Sequence, residues 1–214
     1  MVSAFDTPRS DNLTRPLRSG DNPYLDAFTA SLGQGGGEYG NLDSYRVRRE
    51  LTSRYAWAVP NSAAIATLAA YSPIVEIGAG NGYWAALVEA AGGTVTAYDI
   101  RPPSTGLNPY ARPPAYTTVI PGGPERAADH KEHTLFLCWP SYETQFATNA
   151  VACYEGSTLI YVGESWPGCC ASESFFNLLE EEWVCSSRLD LPTWPMMHDD
   201  LRVFTRRDDR VLSH

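Results

Sequence analysis

Pro73-Ile74-Val75-Glu76-Ile77-Gly78-Ala79-Gly80-Asn81-Gly82-Tyr83-Trp84 is the stretch whose reading decides the fold. A short apolar run bounded by Pro and Gly predicts a buried parallel strand. The glycines that follow make a turn whose backbone can approach a ligand closely. A helix is predicted from Asn81 to about Ala91, stopped by Gly92-Gly93. The next strand, Thr94 to Ile100, carries Asp99 at its carboxyl end. Turn, helix, strand and terminal acid form one βαβ nucleoside-binding unit, in which the acid can accept hydrogen bonds from a ribose diol.

The dinucleotide fingerprint G-x-G-x-x-G needs Gly at position 83, where this chain has Tyr83. Glu76-x-Gly78-x-Gly80-x-Gly82, with Asp99 seventeen positions after Gly82, instead resembles the first two motifs of class I S-adenosylmethionine (SAM) dependent methyltransferases. The resemblance is specific over Pro73 to Ile100 and fits the order of elements down to Arg207, but it says nothing specific about substrate. It implies an α/β fold: a seven-stranded, mostly parallel, doubly wound sheet of order 3-2-1-4-5-7-6 with the last strand antiparallel. It also implies SAM as cofactor. In that family the turn, here Gly78, Ala79, Gly80 and Gly82, cradles the cofactor's amino-acid end. Glu76 would serve its ammonium or the turn amides, and Asp99 the ribose hydroxyls. Ile100 and Gly122 would border the adenine, with Cys138 and Trp139 at the methionine portion or the substrate.

The chain has 214 residues, 43% of them hydrophobic, enough for one well-buried domain with an N-terminal extension. Residues 1–21 read as a flexible segment, 22–72 as a helical cap and 73–214 as the cofactor-binding domain. No apolar stretch reaches the roughly 20 residues of a membrane span, and the N-terminus has no secretory pattern. Five cysteines without framework spacing point to reduced thiols and a cytoplasmic location. No metal site is expected, since adjacent Cys169-Cys170 make poor zinc spacing. A net charge of −9 argues against a nucleic-acid partner. The cluster Arg46, Arg48, Arg49 and Arg54 reads mainly as a solvated helix face, and as a site for an anionic group in the minority reading. Homodimerisation is left open.

Helices are predicted at Tyr24 to Leu32, about Leu42 to Ala58 (capped by Asp43 or Ser44) and Ala63 to Tyr71 (capped by Asn61). Tyr55, Trp57 and Asn61, around the break at Pro60, are candidate substrate-lining residues, with plain packing an equal alternative for each. The Pro-rich connection Arg101 to Pro114 is long enough to be functional and reads as a lid over the cofactor. Strands are predicted at Tyr116 to Ile120, His133 to Pro140, Ser157 to Gly163, Val184 to Leu191 and Leu201 to Arg207. Helices are predicted from about Tyr142 to Tyr154 and from Ser172 or Glu173 through Trp183.

In amino-methylating members of the family an Asp/Asn-Pro-Pro-Tyr-like sequence follows the fourth strand. Trp139-Pro140-Ser141-Tyr142 is similar in outline, but the Trp weakens a nucleobase N-methylation reading. Ligands of open α/β sheets sit outside the carboxyl ends of the strands. That rule nominates Glu164, His198 and Tyr142 as catalytic candidates, and Trp166, Trp194 and Met197 as further substrate contacts. A small-molecule O- or N-methyltransferase of biosynthesis, bacterial on its Arg/Ala/Gly-rich usage, is the main expectation. A SAM-binding protein without methyl transfer (a cyclisation catalyst or non-catalytic subunit) and a peptide or protein methyltransferase are the alternatives. A NAD(P)-dependent reductase ranks last, because Lys131 is the only lysine and no Tyr-x-x-x-Lys pair exists.

Overall fold

The computed structural model describes residues 16–34 and 42–207. Most of the expected flexible segment, residues 1–15, lies outside the described residues. Three helices come first: α1 (Pro23–Gln34), α2 (Leu42–Arg54) and α3 (Ser62–Ala70). Then come β1 (Ile74–Ile77), α4 (Tyr83–Ala90), β2 (Val95–Asp99), β3 (Val119–Pro121) and β4 (Thr134–Cys138), with a long connection between β2 and β3. The chain ends with α5 (Phe146–Cys153), β5 (Thr158–Gly163), α6 (Glu173–Glu182), β6 (Trp183–Asp190) and β7 (Asp200–Arg206). The seven strands form one sheet of order β3-β2-β1-β4-β5-β7-β6. β7 runs antiparallel to β5 and β6, and the other neighbouring strands pair in parallel. This is the sheet that the resemblance implies.

Alternation along the central strands builds two cores, one on each face. Ile74, Phe136, Ile160 and Val162 pack with Trp84, Leu68 and the α1 aromatics. Val75, Leu135, Leu137, Leu159 and Tyr161 pack on the other face with Val151 of α5 and Phe175 of α6. Parallel strands buried on both faces need such continuous apolar runs.

Several boundaries differ from the sequence reading, each for a local reason. α2 stops at Arg54 rather than Ala58, because the buried Asn81 Nδ2 donates to the Arg54 carbonyl at 2.7 Å. It begins at Leu42, ahead of the expected caps Asp43 and Ser44. β3 keeps only three residues, since the Tyr116 amide is drawn to the Asn81 carbonyl at 2.9 Å and its ring joins a tyrosine cluster. α5 starts at Phe146 rather than Tyr142, because Ser141 bridges Cys170 and the Ala171 amide donates to the Pro140 carbonyl. Trp183 opens β6 instead of ending α6, with the Arg206 guanidinium 4.3 Å over its ring.

The N-terminal helices are locked to the sheet through a buried polar relay. The Tyr83 hydroxyl donates to Asn22 Oδ1 (2.9 Å) and accepts from the Tyr24 amide (3.1 Å). Asn22 Nδ2 donates to the Pro60 carbonyl (2.8 Å), and Trp194 Nε1 donates to the Tyr24 hydroxyl (3.0 Å). Tyr83→Phe strips the buried Tyr24 amide of its acceptor. The expected cost is about 1–3 kcal/mol, read by thermal unfolding as a Tm lower by roughly 2–10 °C. An unchanged Tm would show that the relay contributes nothing net.

Candidate functional site

A cleft of about 860 Å³ opens at the carboxyl ends of β1, β2 and β4. Its floor begins at the glycine turn. The Gly78 and Ala79 amides donate to the Tyr98 carbonyl (2.8 and 2.9 Å), pulling the chain sharply off the end of β1. Gly80 has φ +59 and faces Ala111 across a gap that a methyl group would just fill. Gly78, at φ +85, faces the Phe146 ring, where a Cβ would stand 3.1 Å from Cε1, and both glycines hold left-handed conformations that other residues rarely adopt. Gly82, at φ +76, points the other way: a Cβ there would stand 2.9 Å from Thr117 Cγ2. Gly82 serves the packing of β3 against α4 and lies outside the lining.

Asp99, at the end of β2, is buried and fastens the turn. Its Oδ2 accepts from the Gly80 amide (2.9 Å), and its Oδ1 from the Arg101 amide (2.7 Å) and Asn108 Nδ2 (3.3 Å). Burial raises its pKa, while the Arg101 and Gly80 amides oppose the rise. Glu76, on the same floor, is 2% exposed. Burial and then the Asp99 charge push its carboxyl up to about 8, with the Ala85 amide opposing. Its Oε2 is buried and has no hydrogen-bond partner among the described residues. A buried carboxylate oxygen without a partner is costly unless a donor or cation meets it. The floor thus offers a site for a cationic group beside the turn and acceptor oxygens at the next strand end.

The 101–118 connection lies across this floor. Asn108 reaches Asp99, the Arg112 amide donates to the Ser53 carbonyl (2.8 Å), and the Tyr110 ring meets Trp57 edge-on at 6.2 Å. The lid is thereby clasped to both β2 and the N-terminal helical segment. Ile100 stands exposed on the cleft rim.

The opposite wall is aromatic. Trp57 and Trp139 stack with centroids 5.2 Å apart and planes 23° apart. The Arg48 guanidinium carbon lies 5.7 Å from one ring centroid and 5.9 Å from the other. Trp139, directly after β4, has φ +50, a conformation that a bulky residue keeps only when its surroundings enforce it. Two contacts do so: its amide donates to the Val162 carbonyl (2.9 Å), and its Nε1 donates to Asp199 Oδ1 (2.8 Å).

Asp199 is 5% exposed. Burial pushes its carboxyl up to about 7, opposed first by the Trp139 hydrogen bond. Because the unfolded chain releases this proton at lower pH, the group's contribution to stability falls as pH rises from the ordinary carboxylate range to about 7. Asp199→Asn, which cannot ionise, is expected to flatten that part of the profile. The variant should gain on the parent between pH 4.5 and pH 8 in urea denaturation. A parent-minus-variant difference constant across that range would refute the assignment.

Of the residues nominated by the sequence, Tyr55, Trp57, Glu76, Gly78, Ala79, Gly80, Asp99, Ile100, Cys138, Trp139, Tyr142 and Met197 line the cleft. The others lie elsewhere. Asn61 caps α3, accepting from the Ala64 amide at 2.8 Å, and donates to the Asp190 carbonyl. Trp194 is buried edge-on against Phe28 at 4.9 Å. Trp166 is half-exposed outside the lining, and a Cβ on Gly122 would meet Arg126 Cγ and the Tyr98 ring.

Glu164 is buried and spends both carboxylate oxygens on backbone: Oε2 accepts from the Cys169 amide (2.9 Å) and Oε1 from the His198 amide (3.0 Å). It ties the loop after β5 to the loop before β7. The His198 ring is exposed, with Nδ1 3.5 Å from Glu164 Oε1. Tyr142 stands exposed at the cleft mouth, and the adjacent Glu143 carboxylate raises its phenol pKa. The sequence reading missed the wall role of Arg48 and the hold of Asp199 on Trp139. Arg48 stood in the cluster singled out by charge, but its partners lie on segments far along the chain. Among the described residues, no group of three or more His, Cys, Asp or Glu is placed to hold a metal, and no helix is long and apolar enough to cross a membrane.

No family model matches the chain. No curated protein sequence matches either. Among solved structures, the chain is similar to a 1,6-didemethyltoxoflavin-N1-methyltransferase from Burkholderia thailandensis, whose structure holds 1,6-didemethyltoxoflavin and S-adenosylhomocysteine (SAH). That match has 16% identity and a TM-score of 0.45, covering 81% of this chain and 94% of that one. It is also similar to magnesium protoporphyrin IX methyltransferase from Synechocystis PCC 6803 with bound SAM (12% identity, TM-score 0.44, 86% and 91% covered). A third is the N-methyltransferase NodS from Bradyrhizobium japonicum WM9 in complex with SAH (12% identity, TM-score 0.44, 88% and 100% covered).

Proposed function

We propose that this chain is a SAM-dependent methyltransferase acting on oxygen or nitrogen of a small molecule. The observation that carries the reading is the buried Oε2 of Glu76, without a hydrogen-bond partner among the described residues, beside the glycine turn, with Asp99 at the end of the next strand. These groups fit the ammonium and the ribose diol of SAM. When bound, SAM supplies a sulfonium methyl group open to in-line attack by a lone pair of the acceptor.

The chain's own residues hold, orient and shield. Glu76 would hold the ammonium, and Asp99 would accept from the ribose hydroxyls while keeping the turn in place. The lid, clasped through Asn108 and Arg112, covers the floor and keeps water from it. A cleft of this size suits a small molecule better than a protein surface. Trp139 and Trp57 would orient the acceptor, which is the main contribution such a transfer asks of a protein.

For the acceptor's proton, Tyr142 is the one of the three nominated groups that lines the cleft. Glu143 keeps its phenol protonated, so it orients the acceptor rather than taking the proton. Glu164 and His198 act behind the wall, through the loop position they set. An acceptor that ionises readily, or an amine that is already nucleophilic, is the substrate this arrangement serves. The engagement of both Glu164 oxygens also supports a second reading, a SAM-binding protein that does not transfer methyl.

Calorimetric titration with SAM, SAH and NADH in parallel tests the proposal. Binding of both sulfur compounds and not NADH, with SAH the tighter, is expected for an enzyme inhibited by its product. Tighter SAM favours the second reading. Binding of neither sulfur compound overturns both.

A further inference from the structure

The aromatic wall contains a cation that forms no ion pair among the described residues. Arg48 lines the cleft, and its guanidinium lies against the paired rings of Trp57 and Trp139. Its Nε is buried without a hydrogen-bond partner, and its Nη2 reaches only the Met197 thioether at 3.4 Å. Among the described residues no carboxylate comes within ion-pair distance of it. Asp199 feels the Arg48 charge, but its Oδ1 accepts from the Trp139 indole and it makes no ion pair with the guanidinium. A guanidinium half removed from water and left with a weak sulfur acceptor is a poor structural investment. Its planar fork is shaped to meet a carboxylate through two parallel hydrogen bonds.

The flat surface beside it points the same way. A face-to-face pair of indoles leaves an outer face on which a further aromatic ring can stack, and a cation at the edge of the pair fixes which end of that ring carries charge. The shape of the plane is maintained at a cost, since Trp139 keeps its left-handed backbone under the hold of Asp199.

Resting on the methyltransferase reading above, we infer that the acceptor is a flat aromatic molecule bearing a carboxylate, its ring on the Trp57–Trp139 wall and its carboxylate on Arg48. This assigns Arg48 and Trp57 as specificity-determining residues, with Asp199 a positioning residue that acts through Trp139.

The test uses the full chain saturated with SAH. Benzoate and indole-2-carboxylate are titrated by calorimetry and by quenching of tryptophan fluorescence. Indole-2-carboxamide supplies the flat ring without charge, and cyclohexanecarboxylate the charge without the flat ring. The expected result is binding of indole-2-carboxylate at least 10-fold tighter than of either control. Arg48→Met should erase the preference for acid over amide while still binding the amide, which shows that the variant is folded. Arg48→Lys should restore part of the preference, and Trp57→Leu should erase the preference over cyclohexanecarboxylate.

Equal binding of acid and amide by the parent overturns the inference. So does an undiminished preference in Arg48→Met, or no binding of either aromatic acid at millimolar concentration with SAH in place. Failure of SAH itself to bind is a separate outcome and removes the methyltransferase reading beneath it.

Discussion

Glu76→Gln is expected to weaken SAM binding by roughly 10- to 100-fold while making the ligand-free protein more stable in alkali. The first effect follows from removing a charged acceptor from an ammonium, worth about 1.5–3 kcal/mol. The second follows from burial. The Glu76 carboxyl, pushed up to about 8, stays protonated in the folded chain after the unfolded chain has ionised. Stability therefore falls as pH rises from near 4.5 to about 8. Glutamine carries no such penalty, so the variant should be more stable than the parent at pH 9, by on the order of a few kcal/mol, and close to it at pH 4. Urea denaturation at the two pH values reads this directly.

A linked signature distinguishes the carboxylate from its neighbours. At pH 7 the parent should release a proton when SAM binds, because an ammonium beside Glu76 favours the ionised form. The calorimetric enthalpy should then vary with the ionisation enthalpy of the buffer, and in Glu76→Gln that variation should shrink. Equal affinity in parent and variant, with the same buffer dependence, would remove Glu76 from the site.

Asp99→Ala is expected to have a still larger effect on binding, about 100- to 1000-fold for both SAM and SAH. It takes away the acceptors for a ribose diol together with the fastening of the turn and lid at Gly80, Arg101 and Asn108. Charge-assisted hydrogen bonds of this kind are worth about 1.5–3 kcal/mol each, and unpaired amides add to the loss. The lost fastening should show as faster hydrogen exchange at the Gly80 and Arg101 amides. Asp99→Asn should fall between, since one of its two terminal atoms is a donor facing a backbone donor. Retention of SAH affinity in Asp99→Ala would mean that the ligand does not use this strand end.

The parts of the molecule that were legible in advance are those written locally. The glycine turn, its strand and Asp99 sit within thirty residues of one another, where chain spacing translates almost directly into space. Strand order came with the family resemblance that this same stretch carries, and the sheet has that order. Side-chain partnerships across the sheet were not legible. Trp139 and Asp199 are 60 positions apart, and Arg48 and Met197 are 149 apart. Neither segment carries a pattern that announces the other. Glu164 illustrates the opposite failure: topology placed it just after β5, but it lies outside the cleft lining and two backbone amides claim its carboxylate. Topology gives the end of the sheet on which a side chain stands, and only local hydrogen bonding decides what it faces. The same holds for Gly82, whose spacing fits the turn but whose open side looks toward Thr117.

The cleft draws its two halves from different lengths of chain. Glu76, Gly80 and Asp99 come from β1 to β2, whereas Arg48 and Trp57 precede β1 and meet the sheet only at Trp139 and Met197. On the proposed reading, the cofactor floor lies in one stretch of chain, while the acceptor wall is assembled from segments on both sides of it. Recombination just ahead of Pro73 would exchange Arg48 and Trp57 but leave Trp139, its Asp199 anchor and Met197 behind, so each new N-terminal segment would have to fit an inherited half of the wall.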